Sequence, residues 1–217
     1  MPGKARLQTS RLASAKVSDG GRQSGKRRQR DPAEKRTRIL RAARALFVER
    51  GYATTTTADI AARARVSEGI VFHHFGTKAG ILEAVGGDYG RKLAEAMFKT
   101  ASQGKGSPPA RAMLSRAFGY VRENGARLLS AEPGDASVTR RASRTEIVEA
   151  LARGYEHWSR RGVIRRMDAR IVAELTYALV EAALTECFVR GDGSREQDYL
   201  RETVICIEGA LRKKKSR

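Results

Sequence analysis

Several residue types are scarce in this chain of 217 residues, and their scarcity bears on its core, its disulfides and its relation to membranes. Aromatic residues make up only 6% of it, so alanine and the branched aliphatic residues must supply most of the core. The two cysteines, Cys187 and Cys206, lie in apolar helical patterns. We therefore expect buried thiols in a reducing cytoplasm and no disulfide framework. No apolar run approaches the roughly 20 residues that span a bilayer, and the basic N-terminus lacks the apolar stretch of a secretory signal.

The residues that support catalysis are also few. The only histidines are His73, His74 and His157. No cluster of His, Cys, Asp and Glu has the spacing of metal ligands, and no nucleophile elbow or dinucleotide-binding fingerprint is present. The sequence therefore predicts that the protein is not an enzyme, has no cofactor and binds no metal.

Positive charge is abundant. Lys and Arg number 43 against 24 Asp and Glu, which gives a formal net charge of +19. Most of this excess lies in residues 1–30 and 212–217, at the two ends of the chain. Cationic segments attract polyanions, although they can also serve only to keep a protein soluble. Charge alone does not distinguish DNA from RNA or from an anionic membrane.

The distribution of apolar residues divides the chain into a polar N-terminal segment and a helical remainder. Residues 1–30 are rich in Gly, Ser, Gln, Lys and Arg, which predicts a disordered basic arm. From residue 31 onward every strong periodicity is helical, so the fold class is all-α. We predict an N-terminal domain of three helices over 31–80, a longer helical domain over 81–211, and a basic tail over 212–217.

Local signals mark the ends of the predicted helices. The first helix begins at Asp31-Pro32 and stops at Gly51. Gly86-Gly87 predicts a weak point in a later helix, and residues 101–109 predict a loop. Three further starts are predicted from capping residues, at Ser143, Asp168 and Ser194.

The segment from Gly51 to Lys78 carries the main functional signal. Thr56 is a natural N-cap for a short helix, and Ser67 is the N-cap of a second helix that runs through Phe75. Arg65-Val66 supplies the turn between them. Two short helices joined by such a turn are typical of a helix-turn-helix, whose second helix fits the DNA major groove. A helix pair of this kind can also be purely structural.

The stretch from Arg36 to about Val85 resembles the N-terminal domain of TetR-family repressors. It contains the frame RxxILxAAxxLFxxxGYxxTT, the tripeptide DIA and then VSxGxxxxHF, with Lys78 following. The resemblance implies an N-terminal helix-turn-helix, a helical C-terminal domain, a homodimer on a palindromic operator, and a small-molecule effector.

Phosphate contacts are expected at helix starts, where free N–H groups and the helix dipole favour anions. These positions are Thr55, Thr56 and Ser67. The family resemblance adds His74 and Lys78 as phosphate contacts, although His74 can equally be an exposed polar residue. Such contacts set the register of the protein on DNA and not its sequence preference.

Base reading is expected from the exposed start of the second helix. The candidates are Glu68, Gly69, Ile70 and His73. Gly69 allows close approach of the backbone to a base edge, and Ile70 can touch a thymine methyl group. Glu68 can accept from a cytosine amine or only complement the helix dipole. The apolar character of Val66, Val71 and Phe75 predicts core positions for them.

Two residues depart from the family pattern. Phe72 replaces the usual tyrosine and lacks the hydroxyl that commonly meets a phosphate. Arg65 stands at a turn position usually held by glycine, where a left-handed backbone would cost about 1 kcal/mol. Its guanidinium can offset that cost at a phosphate. The arm can likewise enter a minor groove through Lys26, Arg27, Arg28 and Arg30, or remain an inert tail.

The C-terminal half predicts dimerisation and ligand binding. Small residues at Ala178, Ala182 and Ala183 permit close helix approach, and Leu200, Val204, Ile207 and Leu211 form a second stripe. Both features also fit an ordinary intramolecular core. The effector pocket that the family resemblance implies is assigned to Phe118, Tyr155, Trp158 and Tyr177, although aromatic residues at helical spacing are often core.

These features together predict a bacterial cytoplasmic regulator, associated with the nucleoid, that binds double-stranded DNA and is a repressor released by a small-molecule effector. The alternative is a non-specific architectural nucleic-acid-binding protein that acts through its basic tails. The effector, the operator and the regulated genes cannot be deduced from the sequence.

Overall fold

A computed structural model describes residues 31–99, 110–124 and 133–213. The predicted arm at 1–30, the predicted loop at 101–109 and most of the basic tail lie outside these ranges. The regular elements within them are all helical, which confirms the predicted fold class. They are α1 (Pro32–Arg50), α2 (Thr57–Ala64), α3 (Glu68–Phe75), α4 (Lys78–Phe98), α5 (Ala110–Asn124), α6 (Pro133–Arg160), α7 (Ala169–Thr185), a π-helical turn (Glu186–Arg190) and α8 (Glu196–Leu211).

The first three helices pack around a small apolar core. Ile39 of α1, Ile60 of α2 and Val71 of α3 are all at most 1% exposed. Gly51 ends α1 as predicted, because its left-handed φ of 84° turns the chain and its N–H donates to the Phe47 carbonyl at 3.1 Å. This core fixes the relative orientation of α2 and α3.

Helix α4 joins this region to the rest of the chain without interruption, so the predicted weak point at Gly86-Gly87 is wrong. The predicted boundary between residues 80 and 81 also falls inside this helix. Gly86 and Gly90 instead allow the backbones of α4 and α6 to touch. A Cβ atom on Gly90 would lie 2.5 Å from the Ser143 carbonyl oxygen and 2.6 Å from its Cα.

Two of the predicted helix starts are wrong. Helix α6 begins at Pro133, so Ser143 lies inside it, where its hydroxyl donates to the Arg140 carbonyl at 3.0 Å. Helix α8 has Arg195 and not Ser194 at its N-cap. The start at Asp168 is correct, since its carboxylate accepts from the N–H groups of Arg170 and Ile171 at 2.9 and 3.0 Å.

The two cysteines differ in their surroundings. Cys187 is buried, as expected, and this burial raises the pKa of its thiol. Cys206 is exposed on α8, which contradicts the expectation of two buried thiols. Among the described residues, no helix combines the length and the apolar character required to cross a membrane.

Candidate nucleic-acid interface

The start of α2 is closed by a capping box. Thr56 accepts a hydrogen bond from the Asp59 N–H at 3.1 Å, and the Asp59 carboxylate accepts from the Thr56 N–H at 3.0 Å. Hydrogen bonds from the Thr56 side chain and backbone hold the pKa of Asp59 below its ordinary value. The predicted N-cap is therefore confirmed, and Thr56 lies at the surface beside the helix start.

Thr55 is a correction to the predicted interface. Its side chain is 0% exposed, and its hydroxyl donates to the Gly51 carbonyl at 2.7 Å. A buried hydroxyl with a main-chain partner cannot also reach a phosphate. Thr55 therefore stabilises the loop between α1 and α2, and Thr56 is the residue of this pair that faces outward.

The turn between α2 and α3 is left-handed at Arg65, with φ 55° and ψ 50°. Among the described residues, it is the only non-glycine residue with positive φ. Arg38 of α1 holds this turn, since its guanidinium donates to the carbonyls of Ala64 at 2.7 Å and Arg65 at 2.9 Å. The exposed side chain of Arg65 extends from a turn that is fixed from the opposite side.

The first turn of α3 is open to approach. Ser67 is the N-cap by position, yet its side chain forms no capping hydrogen bond. Gly69 is exposed, and a Cβ atom there would meet nothing within 4 Å. Phe72 is 47% exposed, and His73 is exposed as well. Gly69, Phe72 and His73 are spaced three and four residues apart, so they lie on one exposed face of α3.

Two of the predicted base-reading residues have partners within the domain. Ile70 is half-buried and packs against the core, which leaves only part of its side chain for a thymine methyl group. Glu68 accepts a hydrogen bond from the Thr57 hydroxyl at 2.5 Å. This contact links the first turns of α2 and α3, a role that differs from both alternatives considered for Glu68. The predicted core residue Val71 is buried, with Val66 and Phe75 packed at the core edge.

His74 is half-buried at the end of α3. Desolvation lowers the pKa of its imidazole below the ordinary value of 6.5, and the nearby charges of His73, Arg36 and Lys35 lower it further. At neutral pH the ring is therefore uncharged. In this form it can meet a phosphate as a neutral N–H donor.

Lys78 is the second predicted phosphate contact for which the structure shows a different role. Its ammonium group donates to the carbonyls of Tyr52 at 2.9 Å, Thr55 at 3.0 Å and Ala53 at 3.3 Å, and it lies 4.3 Å from the centre of the Tyr52 ring. An ammonium group has three N–H donors, and all three have partners here. Lys78 therefore ties the α1–α2 loop to the start of α4 and is not free to contact a phosphate.

Two residues that shape the interface carry no signal in the linear sequence. Arg38 is one of several arginines on α1, and only the folded chain shows that it reaches the α2–α3 turn. Thr57 precedes Glu68 by 11 residues, so their contact depends on how the two helices pack.

The four predicted pocket residues do not meet at one site. Tyr177 lines a cavity among α4, α5, α6 and α7. Tyr155 and Trp158 line a smaller adjoining space, which shares Met97, Leu151 and Thr176 with that cavity. Phe118 lines neither, because it is fully buried and packs against the Phe188 ring. The sequence analysis missed Tyr89, which lines the larger cavity.

An apolar face remains exposed on the last two helices. Ile171 and Leu175 of α7 are 57% and 65% exposed, and Ile205 of α8 is 57% exposed. Of the predicted dimer residues, Ala178 and Ala182 lie at the surface of α7. Ala183 and the predicted stripe are buried within the chain, so they form intramolecular core. The residues of that stripe are Leu200, Val204, Ile207 and Leu211.

Comparisons with known proteins separate the two parts of the chain. Residues 39–85 match the model of bacterial regulatory proteins of the tetR family. An HTH-type transcriptional repressor of Mycobacterium tuberculosis is 49% identical over 63 residues, which are 29% of this chain and 34% of that protein. The HTH-type transcriptional regulator TtgR of Pseudomonas putida is 40% identical over 60 residues, 28% of this chain and 29% of that one. These matches span about a third of the relatives' own length.

Similarity in fold extends further along the chain. A TetR-family transcriptional regulator from Syntrophomonas wolfei has a TM-score of 0.66 at 17% identity, covering 83% of this chain and 96% of that one. A SmeT–triclosan complex has a TM-score of 0.57 at 23% identity and covers 82% of this chain and 92% of that one. At these identities the similarity shows that the C-terminal helices share a fold with those proteins.

Proposed function

The helix-turn-helix domain of this chain belongs to the tetR family of bacterial regulatory proteins, and from that premise we propose that the chain is a sequence-specific transcriptional regulator. Its mode is repression by occupying an operator in the bacterial cytoplasm, at the nucleoid. The carrying observation is the open face at the start of α3, where Gly69, Phe72 and His73 are all exposed.

In this proposal, base edges meet the α3 face and phosphates meet its borders. Phe72 contacts thymine methyl groups or sugars through its ring, and His73 offers a hydrogen bond to a base. Ser67 presents a hydroxyl that forms no capping hydrogen bond, the helix start beside Thr56 adds its dipole, and Arg65 supplies a cation between them. These border contacts fix the register.

The decisive experiment is a substitution at Gly69. Fragments of genomic DNA that bind the protein are first selected, and their shared sequence defines a preferred duplex. We expect Gly69→Trp to reduce affinity for that duplex about 100-fold, because the indole would occupy the space of the base edges. Gly87→Trp is the control, since a Cβ atom there also meets nothing within 4 Å but lies on α4. Unchanged affinity of the Gly69 variant would show that α3 does not read DNA.

The alternative function predicts a different result. An architectural protein acting through its tails would lose binding when residues 1–30 and 212–217 are deleted. A regulator that reads DNA through α3 would bind more weakly after this deletion but keep its preferred sequence. Competition between the preferred and a scrambled duplex distinguishes the two functions.

We propose a homodimer through the exposed apolar face of α7 and α8. We call α1 to α3 with the start of α4 the reading domain. Two reading domains on a palindromic site give the specificity that a single helix-turn-helix lacks. Leu175→Glu places a charge on this face and is expected to yield monomers with loss of operator binding, measured by analytical ultracentrifugation and DNA titration. Thr145→Glu, at an exposed position of α6, is the control. A Leu175 variant that remains dimeric would place the interface elsewhere.

We also propose that a small-molecule effector releases the protein from DNA. The cavity among α4 to α7 supports this, because it abuts the helix that continues into the reading domain. The fold relative SmeT was solved in complex with triclosan. Assigning the effector to this cavity replaces the pocket of four aromatic residues that the sequence predicted.

A further inference from the structure

The cavity that contains Tyr177 has a mainly aliphatic wall. Leu93 and Met97 of α4, Val121 of α5 and Ile147 and Leu151 of α6 line it. Burying an apolar molecule against such a wall is favourable, whereas burying an ionised group there is costly unless an opposite charge is free to pair with it.

The charges nearest this cavity already have partners. Glu181, on its lining, forms a 3.1 Å salt bridge with Arg140. Arg44 lies 6.0 Å from the centre of the Tyr89 ring and donates to the Asn124 carbonyl at 3.0 Å and its side-chain oxygen at 3.3 Å. Arg144, whose guanidinium lies 5.9 Å from the centre of the Tyr177 ring, pairs with Glu174 at 3.7 Å. An ionised ligand would therefore have to compete with an existing partner for each of these charges.

One polar group in the wall lacks a partner. Tyr89 is 4% exposed, and its phenol oxygen forms no hydrogen bond with any described residue. Burial raises the pKa of this phenol, so the group stays protonated at physiological pH and is a hydrogen-bond donor. The other tyrosine buried nearby, Tyr155, differs in that its hydroxyl donates to Thr176 at 3.0 Å. A buried hydroxyl without a partner is destabilising, and an acceptor brought by a ligand would relieve this cost.

We propose that this cavity binds a small, uncharged and largely apolar molecule whose single oxygen acceptor receives a hydrogen bond from the Tyr89 hydroxyl. The aliphatic wall selects the apolar body, the unpartnered phenol selects the acceptor, and the paired charges reject an ionised group. That this molecule acts as the effector rests on the proposed function, whereas its binding does not.

The test uses three probes of similar size. Acetophenone carries a neutral acceptor, ethylbenzene has none, and benzoate carries an ionised one. Binding to the full chain is measured by isothermal titration calorimetry or ligand-observed NMR without DNA. Acetophenone is expected to bind about tenfold tighter than either of the others, the difference that one hydrogen bond supplies.

Two variants assign this difference to Tyr89. Tyr89→Phe should make acetophenone and ethylbenzene bind alike, and the free variant should unfold at the same temperature or higher, because only an unpartnered hydroxyl is removed. Tyr120→Phe is the matched control, since its ring lies 5.3 Å from that of Tyr89 but outside the cavity lining. It should keep the preference for acetophenone.

The proposal is wrong if acetophenone shows no saturable binding up to its solubility limit, if benzoate binds as well, or if Tyr89→Phe keeps the preference. Failure of the regulator proposal would look different. The probes would then bind as expected, while the Gly69 substitution would leave DNA affinity unchanged.

Discussion

The reading domain and the helical body, which comprises the rest of α4 and α5 to α8, are held together by different kinds of contact. In the reading domain, charged side chains reach main-chain carbonyls, as Arg38 does at the α2–α3 turn and Lys78 does at the α1–α2 loop. In the body, α4 and α6 meet through bare backbone at Gly86 and Gly90, and most other contacts are apolar.

This difference parallels the pattern of similarity to other proteins. Over the reading domain, identity to a curated relative reaches 49%, whereas over most of the chain the structural relative from Syntrophomonas wolfei shares only 17%. A side chain that must reach one particular carbonyl constrains residue type at that position. A core that needs only apolar residues at helical spacing permits many combinations. The comparison teaches that the two parts of the chain differ both in the kind of contact that holds them and in how closely their sequences match other proteins.

The largest effect on stability is expected at the glycine contact of the body. Gly90→Ala would place a Cβ atom 2.5 Å from the Ser143 carbonyl oxygen, so one backbone must shift. We expect a loss of about 3 kcal/mol in the free energy of unfolding, measured by urea denaturation. Gly87→Ala, three residues away and in open space, should instead stabilise the protein by about 0.5–1 kcal/mol. Equal effects of the two changes would show that α4 and α6 are not in such close contact.

An intermediate effect is expected at the carbonyl contacts of the reading domain. Lys78→Met keeps a long side chain but removes the ammonium donor from three loop carbonyls, of which Tyr52 retains the Thr55 N–H at 3.2 Å. We expect about 2 kcal/mol of destabilisation, together with weaker operator binding because Thr56 is no longer held in place. Urea denaturation and DNA titration measure the two effects.

The control for this change is Lys99→Met, which removes an exposed lysine from the end of the same helix. It should alter neither quantity appreciably. If Lys78→Met weakened DNA binding without lowering stability, the lysine would act at a phosphate after all. That outcome would restore the role that the family resemblance implied.

The smallest effect is expected from pH at the edge of the reading domain. The pKa of His74 lies below its ordinary value when the chain is folded, so below about pH 6.5 the unfolded chain binds a proton first. The stability contributed by the neutral ring is complete above that pH, and it is lost as the pH falls through the pKa that His74 has in the folded chain. His74→Gln should flatten this part of the curve of stability against pH, and an unchanged curve would contradict the assignment.

The sequence predicted the backbone of the reading domain well. Thr56 and Gly51, like Asp168 in the body, were correctly assigned as helix ends because capping depends on neighbours within a few residues. The left-handed backbone at Arg65, which the family pattern raised only as a condition, is present in the structure. These features are local, so a linear pattern contains nearly all the information that determines them.

The ends of long side chains could not be predicted in the same way. Lys78 reaches a loop more than 20 residues earlier, and the Tyr89 hydroxyl is left unpartnered only because of how four helices pack. Apolar stripes were equally ambiguous, since one stripe on α8 proved to be core while Ile171 and Leu175 on α7 stayed exposed. Which face of a helix is covered depends on its neighbours in space.

The hydrogen bonds of Arg38 and Lys78 to main-chain carbonyls affect how strongly DNA affinity should depend on salt concentration. Counterions condensed on DNA are released only when a protein cation replaces them at a phosphate, and each phosphate contact adds about 0.9 to the slope of log affinity against log ionic strength. Lys78 cannot make that replacement while its three N–H donors are bound to the main chain, and Arg38 has only part of its guanidinium left for it. The slope for the reading domain should therefore be shallower than its number of basic residues suggests.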